Sequence, residues 1–293
     1  MKSGMKIMDM RCRPPFRSFL NEGYPFGLYD KTAVRKMGQK LSGCPDFSRT
    51  LDSHDMSDFL SEMDAAGVDV AVAPYRSAWG DREMNDRGPV DNGELVELVR
   101  KYPGKFIGVP GFSPVYQEFS DFRRQVETYI VHGPLRGMAL EPIIDRPAWL
   151  ISDDRAMAMY EVAQQYGIPV LLTFSSMSVE QFEGLKVAAS TFPKVNFVLC
   201  HGGTPRVFDV IDLAFGLGNI YLSPDGNMIN TPWSRAYIDA GNYMLRDRLL
   251  FGSAFPVDTL SHAVEFYLHC GFRESVLPDI LYNNAAALFG LDD

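Results

Sequence analysis

Long apolar runs are missing from this sequence, so no stretch reads as a membrane-spanning helix. A cleavable leader ahead of the first strand is not expected either. Cysteine is scarce: Cys12, Cys44, Cys200 and Cys270 are the four, and no two form a C-x-x-C pair. That spacing argues against a disulfide framework and for a reducing, cytoplasmic setting. Positive charge is in deficit, with a formal net charge of -9. Nucleic acid and anionic membranes are therefore not the expected partners, whereas a locally basic cleft would suit a small anionic ligand. No Gly-rich turn follows the first apolar segment, where a dinucleotide would sit. No G-x-S-x-G elbow surrounds Ser253, so a serine nucleophile is not expected.

What is present suits one large core. The 293 residues are 46% hydrophobic and 22% charged, ordinary values for a globular enzyme, and a single domain over 1–293 is expected. The chain is organised around Ile7-Met8-Asp9-Met10-Arg11-Cys12-Arg13-Pro14-Pro15. This is a buried strand that must stop at its two prolines, which donate no ladder hydrogen bonds. Strand alternation puts Asp9, Arg11 and Arg13 on one face and Met10 and Cys12 on the other. Two guanidinium groups at the end of an apolar strand need an anion, supplied either by an internal carboxylate or by a substrate.

Residues 16–50 show no clear periodicity and read as a long insertion covering one end of the fold, with a short helix in it. Asp52 or Ser53 is expected to cap a helix through Met56, Phe59, Leu60 and Met63 that ends at Gly67. Strands are predicted at 68–73, 106–109, 137–140, 169–173, 195–200, 220–222 and 249–251, after the first at the N-terminal side. Helical spacing separates them, at 92–99, 119–131, 153–166, 179–192, 207–215 and before Leu245, and helices over 262–269 and 278–289 follow the last strand. No hairpin signal intervenes. Strict alternation implies a parallel sheet, and eight units close an α/β (β/α)8 TIM barrel with a long insertion after the first strand.

Working groups of such a barrel sit where strands end. Those positions hold Arg11, Arg13, Arg76, Glu141, Thr173, His201, Ser223, Asp225 and Ser253. His201 is the candidate general acid or base, with Asp225 or Glu141 as its partner or as the base itself. Arg11, Arg13, Arg76, Thr173 and Ser253 are candidate substrate contacts. The same charges also fit an internal network of Asp9, Glu141 or Asp225 with the arginines that only braces the barrel. Asp225 further fits an ordinary Ser-Pro-Asp-Gly turn. Cys12 reads as a buried thiol, His262 and His269 as the flank of a helix, and Tyr24, Phe26, Tyr29, Tyr75 and Trp79 as aromatic walls of a pocket or as loop packing.

The order of segments resembles the amidohydrolase-related barrel family that includes aminocarboxymuconate-semialdehyde decarboxylase and aromatic-acid decarboxylases. The resemblance rests on the opening Ile-x-Asp strand and on Lys101-Tyr102-Pro103-Gly104-Lys105-Phe106. It continues in Leu199-Cys200-His201-Gly202-Gly203, Leu250-Phe251-Gly252-Ser253 with Pro256, and Asn284-Ala285-Ala286 before Leu288-Phe289-Gly290. In metal-dependent members the resemblance implies a His-x-His pair where Arg11 and Arg13 stand. It implies a histidine at Thr173 and an aspartate at Ala254; only His201 matches that ligand set. Guanidinium has no lone pair to give. A divalent cation about 4 Å from one guanidinium is repelled by about 8 kcal/mol at an effective dielectric of about 20. No catalytic metal is expected in that position, and no cofactor.

The expected function is a metal-independent hydrolase of a small carboxylate-bearing substrate such as a lactone. Decarboxylation of a small aromatic or unsaturated acid and a non-catalytic binding barrel are the alternatives. The resemblance also implies self-association, as a homodimer or homotetramer.

Overall fold

The computed structural model describes residues 4–20, 29–44, 48–76, 90–145, 147–174 and 176–291. Its strands, in chain order, are β1 (Met8–Asp9), β2 (Val70–Pro74), β3 (Phe106–Val109), β4 (Met138–Leu140), β5 (Val170–Thr173), β6 (Phe197–Cys200) and β7 (Ile220–Ser223). The helices are α1 (Lys31–Leu41), α2 (Thr50–Ser53), α3 (Met56–Ala66), α4 (Gly93–Lys101), α5 (Phe119–Gln125) and α6 (Asp154–Tyr166). They continue with α7 (Val179–Thr191), α8 (Val207–Leu217), α9 (Ser234–Asn242), α10 (Leu260–His269) and α11 (Asn284–Leu288). Strand and helix alternate as the apolar periodicities require, and the strand pairs are parallel.

Residues cluster into two compact units. One comprises Met1–Ala73, Gly104–Ile107 and Ser223–Asp293; the other comprises Pro74–Pro103 and Gly108–Leu222. In the first unit β1 pairs with β2, Met8 opposite Val70 and Asp9 opposite Ala71. The regular strand ends at Asp9, short of the expected stop at the two prolines, because the chain bends at Met10 and Arg11; beyond it Cys12 N–H donates to Val72, Met10 N–H to Phe251 and Arg13 N–H to Phe255. Phe59 from α3 sits against Phe106 of β3 and against Phe255, with ring centroids 6.0 and 5.1 Å away.

In the second unit β4, β5, β6 and β7 form one parallel sheet. Val170 lies opposite Met138 on one side and Phe197 on the other. These strands are apolar on both faces, as parallel strands covered by helices must be. Tyr160 of α6 meets Phe197 edge-on at 5.1 Å.

Three expectations are corrected. The cap of the 56–66 helix is Asp55, whose side chain accepts from Ser57 N–H, because the short helix α2 ends at His54 in the left-handed region. The eighth strand, expected at 249–251, is not a regular strand: Phe251 O accepts from Met10 N–H, and past it an isolated bridge joins Cys12 to Phe255. The 119–131 helix changes to π geometry over Val126–Val131.

Within the insertion, the described part holds a one-turn helix at Arg17–Leu20 and the longer α1. The capping side chain of Asp30 starts α1 by accepting from Thr32 and Ala33 N–H groups. Midway along it, Gly38 lies so near the carbonyl oxygen of Val257 that a Cβ there would overlap it. Replacing a mid-helix glycine by alanine normally stabilises, by about 0.5–1 kcal/mol. Here Gly38→Ala should destabilise, by about 1–3 kcal/mol, as read from chemical denaturation; a gain in stability would show that α1 is not docked on this backbone.

Candidate active site

The first unit holds the charged end of the opening strand. Arg11 is 2% exposed and Arg13 5%, so two fixed positive charges are removed from water. Arg11 Nε lies 3.6 Å from Asp225 Oδ2. Asp225 begins a one-turn helix after β7, is fully buried, and accepts a hydrogen bond from Ser223 Oγ at its other oxygen. A Cβ at Gly252 would collide with that same oxygen, so glycine at 252 is what lets the carboxylate reach the arginine. Both sequence-level views of Asp225 hold: it is a turn residue and it meets an arginine.

Asp9, the acid in the opening strand, is fully buried. Its Oδ1 accepts from the N–H groups of Arg11 (3.0 Å) and Ser253 (2.9 Å), and its Oδ2 from Ser253 Oγ (2.5 Å). Ser253 Oγ in turn accepts from Phe255 N–H at 2.9 Å. The hydroxyl expected to touch substrate is thus used on both its donor and its acceptor side, bracing the first strand against the last. Burial pushes the Asp9 carboxyl up to about 7, against the opposing pull of its hydrogen bonds to Ser253 and Arg11. Tyr29, from the insertion, donates its hydroxyl to the Arg13 carbonyl at 2.6 Å.

The second unit carries Arg76, Glu141, Thr173 and His201. Arg76 follows β2, and its Nε meets Glu141 Oε2, just past β4, at 2.9 Å with both side chains buried. Tyr75 beside it is buried and donates to Glu94 Oε2 at 2.8 Å. Thr173 ends β5 and is buried; His201 follows β6 and is half-buried. Tyr24, Phe26 and Trp79, considered as aromatic walls, lie outside the described residues. Cys12 is fully buried, and burial drives its thiol pKa upward, which fits an inert core thiol.

His201, Asp225 and Ala254 all occupy the left-handed region, with φ of 66°, 54° and 60°. Non-glycine residues there cost about 1–3 kcal/mol each and persist where the surroundings dictate them, typically at functional sites. None of the three is glycine, so composition gave no sign. Sequence suggests Asp9 only as a partner of the arginines; its raised pKa comes from burial, which a sequence does not display.

The family profile described as "Amidohydrolase" matches residues 34–291, most of the chain. The chain belongs to the amidohydrolase family. No curated protein matches its sequence. Among solved structures it is similar to an uncharacterized TIM-barrel protein of Bordetella bronchiseptica, with a TM-score of 0.84 and 26% identity over 98% of this chain and 99% of that one. It is also similar to a dihydroxybenzoic acid decarboxylase of a Polaromonas species, solved with bound manganese and 2-nitroresorcinol: TM-score 0.66, 16% identity, 99% of this chain and 98% of that one. The third is 4-oxalomesaconate hydratase of Rhodopseudomonas palustris, with a TM-score of 0.67 and 16% identity over 97% and 96% of the two chains. The fold class of this amidohydrolase is the α/β TIM barrel.

The metal that such amidohydrolases carry does not fit this chain's residues. At the end of β1 stand two buried guanidinium groups, one of them already facing Asp225, and neither offers a lone pair. Thr173 and Ala254 occupy two further ligand positions that the family resemblance implies, and Ala254 has no donor atom at all.

The Asp9 carboxyl sets a pH test. Its pKa is raised on folding from 3.8 to about 7, so between these values the folded state holds a proton that the unfolded state has lost. Its contribution is complete below about pH 4 and is lost as pH rises through about 7, by at most about 4 kcal/mol in all. Asp9→Asn should flatten this slope in melting temperatures measured from pH 4.5 to 8 (about the span of the titration). An unchanged slope would assign the titration to other groups.

Proposed function

We propose that this amidohydrolase is a hydrolase that works without the family's metal, on a small substrate carrying a carboxylate, with a lactone as the first to test. The observation that carries this is the pair of buried arginines where the family resemblance places metal ligands. Arg13 presents a planar fork suited to a carboxylate, and Arg11, steadied by Asp225, supplies positive charge for a developing oxyanion. His201 is the group we assign to proton transfer, and Arg76, oriented by Glu141, to substrate charge. Thr173 is a further polar contact. Tyr29 on the Arg13 carbonyl supports the insertion as a cover over the strand end. The expected partners remain small anions, and self-association belongs to the same proposal.

Decarboxylation is the second reading, favoured by the name of the Polaromonas relative. It uses the same arginines to hold a carboxylate that leaves as carbon dioxide. Oxygen-18 from labelled water appearing in the product's new carboxylate marks hydrolysis; release of carbon dioxide, with a solvent proton taking its place on carbon, marks the lyase.

The test is turnover of a panel of carboxylated lactones and hydroxybenzoic acids by the native chain and two variants. Arg13→Met should raise KM by about 10- to 100-fold, and His201→Asn should lower kcat by about 100- to 10,000-fold. Melting temperatures should stay within a few degrees (about 1–2 kcal/mol of stability). Turnover that requires added manganese or zinc and survives Arg13→Met overturns the metal-free reading. Binding of the acids without turnover of any overturns the enzyme.

A further inference from the structure

In the first unit, Cys44, Asp258 and His262 come together from opposite ends of the sequence. One potential ligand atom from each lies within 4.8 Å of the others, the one such group of three found among the described residues. The geometry points to a binding site for a zinc-class divalent transition metal formed by Cys44 Sγ, the Asp258 carboxylate and the His262 imidazole. The chemistry of the donors selects the ion: thiolate with imidazole and one carboxylate suits zinc and its neighbours and suits magnesium or calcium poorly.

A second observation points the same way. Asp258 is buried, and while its Oδ1 accepts from Thr259 N–H and lies 2.8 Å from His262 Nδ1, its buried Oδ2 has no hydrogen-bond partner. A buried carboxylate oxygen left in that state costs about 1–3 kcal/mol or more. A cation would satisfy it. Cys44 is buried in the same place, its Sγ 3.8 Å from the hydroxyl oxygen of Thr259, the residue after Asp258. A cavity of about 10 Å³ beside Cys44 is walled by Val34, Gly38, Leu51, Pro256, Thr259 and Arg35. Arg35 brings positive charge to that wall, and its Nη2 is turned to Asp52 Oδ2 at 3.3 Å.

The backbone explains the convergence. Thr259 caps α10 and places His262 in its first turn, one helical turn from Asp258. Cys44 follows the end of α1, whose Gly38 already rests on Val257. A metal here would tie the insertion to the segment after the last strand, a role separate from the reaction proposed above and untouched by its outcome.

Cobalt(II) is the probe, added to the purified full-length chain under reducing conditions. One equivalent should bind with a thiolate-to-cobalt charge-transfer absorption and tetrahedral ligand-field bands, and zinc should displace it. Cys44→Ser should abolish the charge-transfer band although Cys12, Cys200 and Cys270 remain. His262→Gln, at a side chain 21% exposed and so tolerant of change, should weaken binding by at least about 10-fold. Zinc should also raise the melting temperature of the native chain and not of Cys44→Ser. A folded native chain without the thiolate band, a band that survives Cys44→Ser, or unchanged affinity in His262→Gln would each overturn the site.

Discussion

A guanidinium group cannot shed its charge, so burying two of them at the end of one short strand dictates what surrounds that strand. Arg11 is matched by Asp225, and the match depends on details three segments away. Asp225 must enter a left-handed turn, and the residue at 252 must lack a side chain. Asp9, two residues before Arg11, is kept from drawing close to full ionisation by burial and spends its oxygens on Ser253 and the strand's own backbone. The first and last strand segments of the chain are therefore joined by polar bonds inside an apolar layer. Breaking one partner strands another, which is the costly case for buried polar groups.

Much of the fold was legible because parallel α/β units announce themselves by period. Four-residue apolar runs such as 197–200 and helices such as 154–166 fall within a residue or two of their predicted bounds. The eighth strand was misjudged for a physical reason. Leu249 to Phe251 has the composition of a strand, but its backbone bonds go to Met10 and Ile280 rather than into a continuous ladder. The cap at Asp55 was missed because Asp52, Ser53 and Asp55 are all good capping residues, and only the left-handed His54 between them decides the frame.

The site was legible in its charges and not in its partnerships. Both guanidinium groups of the opening segment are buried, and two carboxylates from the expected strand ends do hold arginines: Asp225 with Arg11, Glu141 with Arg76. The alternation expected from Asp9 to Arg13 does not describe them, because the regular strand ends at Asp9, the chain bends at Met10 and Arg11, and Met10 and Cys12 are as buried as the arginines. Which carboxylate would take which arginine depends on rotamers and on a missing Cβ, neither of which has a sequence period. His262 shows the same limit from the other side. Helical spacing puts it on the flank of a helix and gives no partner, yet the turn before that helix brings Asp258 to within 2.8 Å of its ring.

Replacing a hydrolytic metal by arginine also narrows the chemistry that the proposed enzyme could perform. A metal does two things at once: it polarises the carbonyl and it lowers the pKa of a bound water by several units. A guanidinium does only the first, by donating hydrogen bonds to the oxyanion, since it has no coordination site in which to acidify water. The nucleophile must then be prepared by a side-chain base, for which a histidine such as His201 is the suitable residue type. General-base catalysis of that kind supplies about 100- to 10,000-fold, far less than an unactivated amide demands. A strained or otherwise activated ester falls within reach, which is why a lactone ranks above an amide for this pair of arginines.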